Sequence, residues 1–62
     1  MSMQEWFNEA QGLLVEDPKT GERFSICDLR RVSWEYFIGL TSEGGTLRYV
    51  SLDRYDEFIS VA

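Results

Sequence analysis

Turn-forming residues divide this chain into short segments, and this division constrains the fold more than any other feature of the sequence. Asp17-Pro18, Gly21 and Gly44-Gly45 stand where the chain can reverse direction. Pro18 suits position i+1 of a type I turn, and Gly21 can adopt the left-handed conformation after it. Gly44 and Gly45 can adopt the positive φ angles of a tight hairpin turn. Short strands joined by such turns predict a small, strongly curved antiparallel sheet.

Residues 3 to 11 have the spacing of an amphipathic helix that precedes the sheet. Four apolar side chains follow the i, i+3, i+4 pattern and form one stripe: Met3, Trp6, Phe7 and Ala10. Ser2 and Glu5 fit a capping box, and Gly12 stands where a left-handed residue would end the helix. A helix of about nine residues is not stable alone in water, so the stripe is expected to pack on an apolar surface.

Four strands are predicted after the helix, followed by a helical turn and a short fifth strand. The four strands cover residues 13–15, 22–29, 32–41 and 47–52. Arg30 and Arg31 are expected to mark the bend before the third strand, and Asp53 is expected to cap the helical turn. The fifth strand is expected to contain three apolar residues: Phe58, Ile59 and Val61.

This order of elements is similar in architecture to the SH3-like and Sm-like small barrels. The predicted fold class is α+β, mainly antiparallel β, with residues 1–62 forming one small domain. The N-terminal helix is expected to pack on a small curved sheet of four or five strands, or on an SH3-like small barrel, built from residues 13–61. A flat sheet with the helix on one face is the competing architecture.

The third predicted strand has more apolar side chains than one face of a sheet can bury. Alternation places five of them on one face: Val32, Trp34, Tyr36, Ile38 and Leu40. Phe37 points to the other face, where a two-residue turn at Gly44-Gly45 would set it opposite Leu52. A longer loop would shift this register. We expect the helix stripe to cover Phe37 inside the monomer, because monomers rarely leave large apolar patches exposed.

The residue composition argues against the common forms of catalysis. The chain has no histidine, which removes the commonest general base and the commonest metal ligand. Its single cysteine, Cys27, cannot form an internal disulfide or a cysteine-based metal site. Asp53, Asp56 and Glu57 are close in sequence, but so small a chain is not expected to enclose the cleft that carboxylate catalysis needs. The sequence therefore predicts no catalytic residue, no metal and no cofactor.

The first residues are not expected to form a targeting signal. Residues 1–12 contain neither a positively charged segment nor a long apolar run, so a signal peptide and a membrane span are not expected. A secreted domain of this size would normally carry several disulfides, whereas this chain has one cysteine. A cytoplasmic protein is therefore expected.

The charge balance disfavours free nucleic acid as a partner. Eleven acidic residues against six basic ones give a net charge of −5, which the phosphate backbone repels. The alternative is a small barrel that binds single strands through arginines interleaved with aromatic rings: Arg30, Arg31, Trp34, Arg48 and Tyr49. We favour pairing of the arginines across strands with Glu35 and Glu43.

By exclusion, the sequence predicts a non-enzymatic protein-binding module whose partner has a basic surface. Three aromatic side chains are the predicted anchors: Trp34, Phe37 and Tyr55. Three carboxylates are predicted to steer the partner: Asp53, Asp56 and Glu57. Size and charge suggest, by analogy with small acidic proteins of phages and mobile elements, an inhibitor that mimics nucleic acid and blocks a host nucleic-acid enzyme. The alternative is a structural or adaptor subunit of an oligomer, a homodimer included.

Overall fold

The computed structural model describes residues 2–61, which form a five-stranded antiparallel sheet and an N-terminal helix. The elements, in chain order, are α1 Met3–Ala10, β1 Leu14–Glu16, β2 Arg23–Val32, β3 Glu35–Ser42, β4 Leu47–Ser51, α2 Leu52–Tyr55 and β5 Ile59–Ser60. The strand order is β4-β3-β2-β1-β5, so β1 to β4 form a meander and β5 returns to pair with β1. Within residues 2–61 no strand pairing joins β4 to β5. The predicted α+β fold is confirmed in its open-sheet form, and the closed barrel is not formed.

Helix α1 begins and ends at the residues that the sequence indicates. The Glu5 backbone N–H donates to Ser2 Oγ at 3.2 Å, and the Ser2 hydroxyl donates to Glu5 Oε1 at 3.3 Å. The helix is capped at its end by Gln11, whose N–H donates to the Phe7 carbonyl at 2.8 Å. Gly12 follows with φ +87°, the left-handed conformation that glycine adopts without a Cβ penalty.

The core lies between α1 and one face of the sheet. Six residues are buried there: Ala10, Val15, Phe24, Ile26, Ile38 and Leu40. Seven partly buried residues pack around them: Met3, Trp6, Phe7, Leu29, Val50, Tyr55 and Phe58. The whole apolar stripe of α1 therefore contacts the core, and the prediction that the helix packs on the sheet is confirmed. Burial of each large side chain contributes roughly 1.5–3 kcal/mol.

Strand β2 contains a β-bulge that sets which of its residues reach the core. The β2–β3 register shifts between Ile26 and Asp28, which leaves Cys27 as the extra residue. Ile26 pairs with Leu40 before the bulge and Leu29 pairs with Ile38 after it. A bulge adds one residue to one strand and bends it. Both Ile26 and Leu29 therefore face the core, although they are three residues apart.

The turn between β2 and β3 lies later than the sequence predicts. Arg30 and Arg31 pair with residues of β3 and belong to the strand, so the predicted bend at these positions is wrong. Val32 pairs with Glu35, which leaves Ser33 and Trp34 as a two-residue turn. Pairing with Phe37 and Tyr36 keeps Arg30 and Arg31 in β2, and the predicted start of β3 at residue 32 moves to residue 35.

The β3–β4 hairpin closes on Ser42 and Thr46, so its loop contains three residues, 43–45. The Ser42 N–H donates to the Thr46 carbonyl at 2.9 Å, and Gly45, with φ +88°, donates to the Ser42 carbonyl at 2.9 Å. A three-residue hairpin loop with glycine in this conformation is a common form. Of the two registers that the sequence leaves open, the structure has the one with the longer loop. Val50 pairs with Ile38 on the core face, so the longer loop buries one more apolar side chain.

The other turns follow the sequence more closely. The Thr20 N–H donates to the Asp17 carbonyl at 3.3 Å, and Gly21 has φ +75°, as predicted for the first hairpin. The helical turn α2 is also present, but Ser51 caps it by accepting from the Arg54 N–H at 3.4 Å. Asp53 lies in its first turn, so the prediction that Asp53 is the cap is wrong.

Candidate functional site

Trp34 stands at the tip of the β2–β3 hairpin and is the most exposed large apolar residue of the described chain. About 89% of its surface is accessible. Ser33 before it has φ 58°, a conformation that is uncommon for residues other than glycine. The Arg31 Nε donates to the Ser33 carbonyl at 2.7 Å and ties the turn to β2. The backbone thus holds an indole ring in solvent, away from the helix and the core.

Two chain segments meet beside Trp34 and form a shallow groove, which we call the Trp34–Asp53 groove. Its volume is about 180 Å³, and its lining residues are Trp34, Glu35, Tyr36, Ser51, Leu52 and Asp53. The β3–β4 register explains this meeting, because Phe37 pairs with Ser51 and so the two residues after Ser51 run beside those before Phe37. Within residues 2–61, neither Glu35 nor Asp53 belongs to a salt bridge.

The sheet face opposite α1, which we call the outer face, carries a second groove. Its volume is about 210 Å³, and Arg30, Val32, Phe37 and Tyr49 line it. Phe37 is half-buried there. Because the neighbouring Ile38 is fully buried on the core face, alternation directs Phe37 to the outer face. The expectation that the helix covers Phe37 is therefore wrong.

Three side chains of the outer face form one hydrogen-bonded cluster. The Tyr49 hydroxyl donates to Asp28 Oδ2 at 2.5 Å, and the Arg30 Nε donates to the same oxygen at 3.3 Å. The Arg30 guanidinium lies 5.2 Å from the centre of the Tyr49 ring. The hydrogen bond from Tyr49 lowers the pKa of Asp28, and the same bond raises the pKa of Tyr49. The chain itself therefore shows how a carboxylate and an aromatic ring hold an arginine.

Two other arginines, Arg31 and Arg48, also lie against aromatic rings. Arg31 is 5.9 Å from the Tyr36 ring centre, and Arg48 is 6.0 Å from the Phe24 ring centre. The salt bridges of the described residues are Lys19–Glu57, Arg23–Glu16 and Arg30–Asp28. The predicted pairing of arginines with Glu35 and Glu43 is therefore wrong. The β2–β3 register sets Arg31 opposite Tyr36 instead of opposite an acid.

Tyr55, a predicted anchor, packs against the core. Its ring meets Trp6 edge-to-face at 5.5 Å and stacks on Phe58 at 6.2 Å. Burial, helped by the charge of Asp56, raises the pKa of Tyr55. This residue therefore supports the docking of α1, and its predicted contact with a partner stays a prediction.

The three carboxylates predicted to act together lie in different surroundings. Asp53 lines the Trp34–Asp53 groove, and Asp56 is exposed at the end of α2. Glu57 forms a salt bridge of 3.4 Å with Lys19, which lies in the loop between β1 and β2.

The sequence analysis did not identify Glu35 and Leu52 as groove residues. A three-residue loop at the β3–β4 hairpin would have indicated them, because that register brings their segments together.

A third cleft lies at the other end of the sheet, between the β1–β2 loop and the β3–β4 loop. Its volume is about 460 Å³, and its lining residues are Gly21, Glu22, Arg23, Ser42, Glu43 and Gly44. Arg23 is already paired with Glu16 at 3.3 Å. This cleft has no aromatic side chain in its lining, so it lacks the anchor that the Trp34–Asp53 groove has.

Comparisons with protein-family models, with curated proteins and with solved structures found no match for this chain. Neither helix in the described part of the chain has the length and apolar character needed to cross a membrane. Over residues 2–61 there is also no group of three or more histidine, cysteine, aspartate or glutamate side chains that could hold a metal ion. The functional proposal therefore rests on the Trp34–Asp53 groove.

Proposed function

We propose that this chain is a non-enzymatic protein-binding module that contacts its partner through Trp34. The observation that carries the proposal is the 89% exposure of this residue at a hairpin tip. Tryptophan is enriched among the few residues that supply most of the energy of a protein interface. Trp6, the other tryptophan, packs against the core and so already has a structural role.

The proposed partner has a basic surface. The chain has a net charge of −5, and the groove beside Trp34 is lined by Glu35 and Asp53, which form no salt bridge within residues 2–61. Complementary charges accelerate association and select among partners. The specific form of the proposal is an inhibitor in the cytoplasm of its host, of the kind encoded by phages and mobile elements. It would occupy the basic groove of a nucleic-acid enzyme in place of the nucleic acid.

Affinity capture with matched variants tests the proposal. The tagged wild-type protein, Trp34→Ala and Leu13→Ala are used to capture proteins from a lysate of the source cell. Leu13 is a suitable control because 51% of its surface is exposed and it does not line the groove. A partner that is retained by the wild type and by Leu13→Ala, but lost with Trp34→Ala, supports the proposal. The proposal fails if no partner is captured at any salt concentration or if Trp34→Ala captures the same partners.

The outer face favours a second candidate, a structural subunit of an oligomer. Val32 and Leu47 are 62% and 52% exposed there, next to Phe37 and Tyr49. Strand β4 is also an edge strand, with one side of its backbone open to another strand. Native mass measurement of the wild type, Leu47→Asp and the control Leu13→Asp tests this candidate. A dimer that only Leu47→Asp disrupts would support it, and a monomeric wild type would exclude a homodimer.

A further inference from the structure

We infer that the Trp34–Asp53 groove binds the side chain of an arginine of the partner. This inference rests on the proposed function and adds the chemistry of the contact. The small volume of the groove is the first observation that supports the inference. Pockets for small-molecule ligands typically measure about 300–1,000 Å³, whereas this groove measures about 180 Å³. It suits one side chain of a macromolecular partner.

The lining of the groove matches a flat cation better than an apolar or anionic group. Trp34 is the exposed aromatic residue of the lining, and Glu35 and Asp53 are its two acidic residues. A guanidinium group stacks on an aromatic face and donates several hydrogen bonds to carboxylates in fixed geometry, which an ammonium group does less well. Leu52, 36% exposed, offers an apolar surface for the aliphatic part of an arginine side chain.

Three residues of the groove are free of cations from the described chain, residues 2–61, whereas Tyr36 already contacts Arg31. Within residues 2–61, no salt bridge or cation–π contact involves Trp34, Glu35 or Asp53. The nearest internal arginine contact is that of Arg31 with the Tyr36 ring, and the Nε of Arg31 is held by the Ser33 carbonyl. The indole ring and both carboxylates are therefore available to a cation from outside.

The outer face provides an internal example of the proposed contact. Arg30 lies over the Tyr49 ring and donates to Asp28 at 3.3 Å, so a ring and a carboxylate share one guanidinium. The lining of the Trp34–Asp53 groove has the same residue types, an aromatic residue with two acidic residues instead of one. The difference is that the arginine must come from the partner.

Nuclear magnetic resonance titration with short peptides tests the inference. The isotope-labelled protein is titrated with acetyl-Gly-Arg-Gly-amide, with the lysine peptide and with the uncharged citrulline peptide at constant ionic strength. The arginine peptide is expected to shift the signals of the Trp34 indole N–H and of residues 35, 52 and 53. The lysine peptide is expected to bind more weakly, and the citrulline peptide weakest of all. Equal binding of all three peptides, or shifts confined to other residues, would overturn the inference.

Three variants locate the binding groups. Trp34→Ala and Asp53→Asn are each expected to weaken binding of the arginine peptide by about two- to fivefold, the range for exposed cation–π contacts and ion pairs. Asp56→Asn is the matched control, because it removes a nearby exposed carboxylate that does not line the groove. Equal weakening by Asp53→Asn and Asp56→Asn would show a general charge effect and contradict the inference.

This titration separates the inference from the proposed function. It uses the arginine peptide and no partner, whereas affinity capture with Trp34→Ala uses the partner and no peptide. If the peptide does not bind but capture still depends on Trp34, the protein-binding function stands and the arginine contact is wrong. If the peptide binds in the groove and no partner depends on Trp34, the arginine contact stands and the proposed function is wrong.

Discussion

The side chains of Tyr49 and Asp28 meet across Gly39, which lies between them on the middle strand of three. The Tyr49 hydroxyl donates to Asp28 Oδ2 at 2.5 Å, and Gly39 pairs with Asp28 on one side and with Tyr49 on the other. A Cβ atom at position 39 would lie 2.7 Å from the Asp28 Cβ and 3.1 Å from Cε1 of Tyr49. The absence of a side chain at Gly39 therefore lets a hydrogen bond link β2 to β4 over β3.

Gly39→Ala is expected to destabilise the fold by about 1–3 kcal/mol, the range for added atoms in a tightly packed position. The Asp28 Cβ cannot move without its backbone, so the clash at 2.7 Å requires a shift of the strands. The free energy of unfolding in urea measures this effect. Gly44→Ala is the matched control, because its nearest contact is Ser42 Oγ at 3.9 Å, and a change within about 0.5 kcal/mol is expected. Equal losses in both variants would contradict the steric explanation.

Tyr49→Phe is expected to change how stability depends on pH. In the folded wild type, the hydrogen bond from Tyr49 holds the pKa of Asp28 below its ordinary value of 3.8. This stabilisation is present above pH 3.8 and is lost as the pH falls through the lowered pKa. The same bond raises the pKa of Tyr49 above 10.0, so its contribution is present below pH 10.0 and lost as the pH rises through the raised pKa.

The difference in unfolding free energy between the wild type and Tyr49→Phe should therefore be constant between these limits and shrink at both ends. Urea denaturation at a series of pH values measures it, and a carboxyl titration by nuclear magnetic resonance should show a higher pKa of Asp28 in the variant. Tyr36→Phe serves as the control, since Tyr36 contacts Arg31 rather than Asp28. A difference for Tyr49→Phe that does not change in acid would contradict this account.

The same substitution is expected to lower stability strongly at Trp6 and hardly at all at Trp34. Trp6 packs against the core, and its ring centre lies 5.5 Å from that of Tyr55. Large-to-small changes of this kind lower the free energy of unfolding by about 3–5 kcal/mol, and we expect a value near the lower end for Trp6→Ala. Trp34 is 89% exposed, so its loss should change stability by less than about 0.5 kcal/mol. Thermal and urea unfolding check both values. A large loss in Trp34→Ala would assign Trp34 a structural role.

Ser2→Ala is expected to destabilise the protein by about 1 kcal/mol, because it removes the oxygen that accepts from the Glu5 N–H at 3.2 Å. Helix α1 has only eight residues, so a frayed first turn weakens the packing of Met3 on the core. Urea unfolding gives the magnitude, and amide hydrogen exchange at Glu5 shows whether the first turn has opened. Ser2→Asp restores a capping acceptor and should recover most of the stability. An unchanged stability in Ser2→Ala would mean that the cap does not contribute.

The sequence predicted correctly those elements that depend on residues within or next to them. The start of α1 depends on Ser2, its end depends on Gly12, and the first hairpin depends on Pro18 and Gly21. Each of these residues acts on backbone groups within a few positions of itself. Local spacing was therefore enough to locate the helix and the first turn within one or two residues.

The positions of the β2–β3 turn and the bulge were not predictable in this way. Ser33 has positive φ without being glycine, and Cys27 is the extra residue of the bulge without a glycine or proline beside it. Both are imposed by the pairing of β2 with β3, which lets Ile26 and Leu29 face the core together. Strand pairing overrides weak local preferences at such positions.

The sequence by itself determined the helix, the class of sheet and the excess of acidic and aromatic side chains. Only the tertiary structure decided the register of β3 and β4, and with it the site. A loop of two or three residues at Gly44-Gly45 is compatible with the local sequence, but a one-residue shift moves every side chain of a strand to the other face. Packing of Val50 against the core on the Ile38 face favours the longer loop. The same register brings Asp53 and Trp34, which are far apart in the sequence, to the lining of one groove.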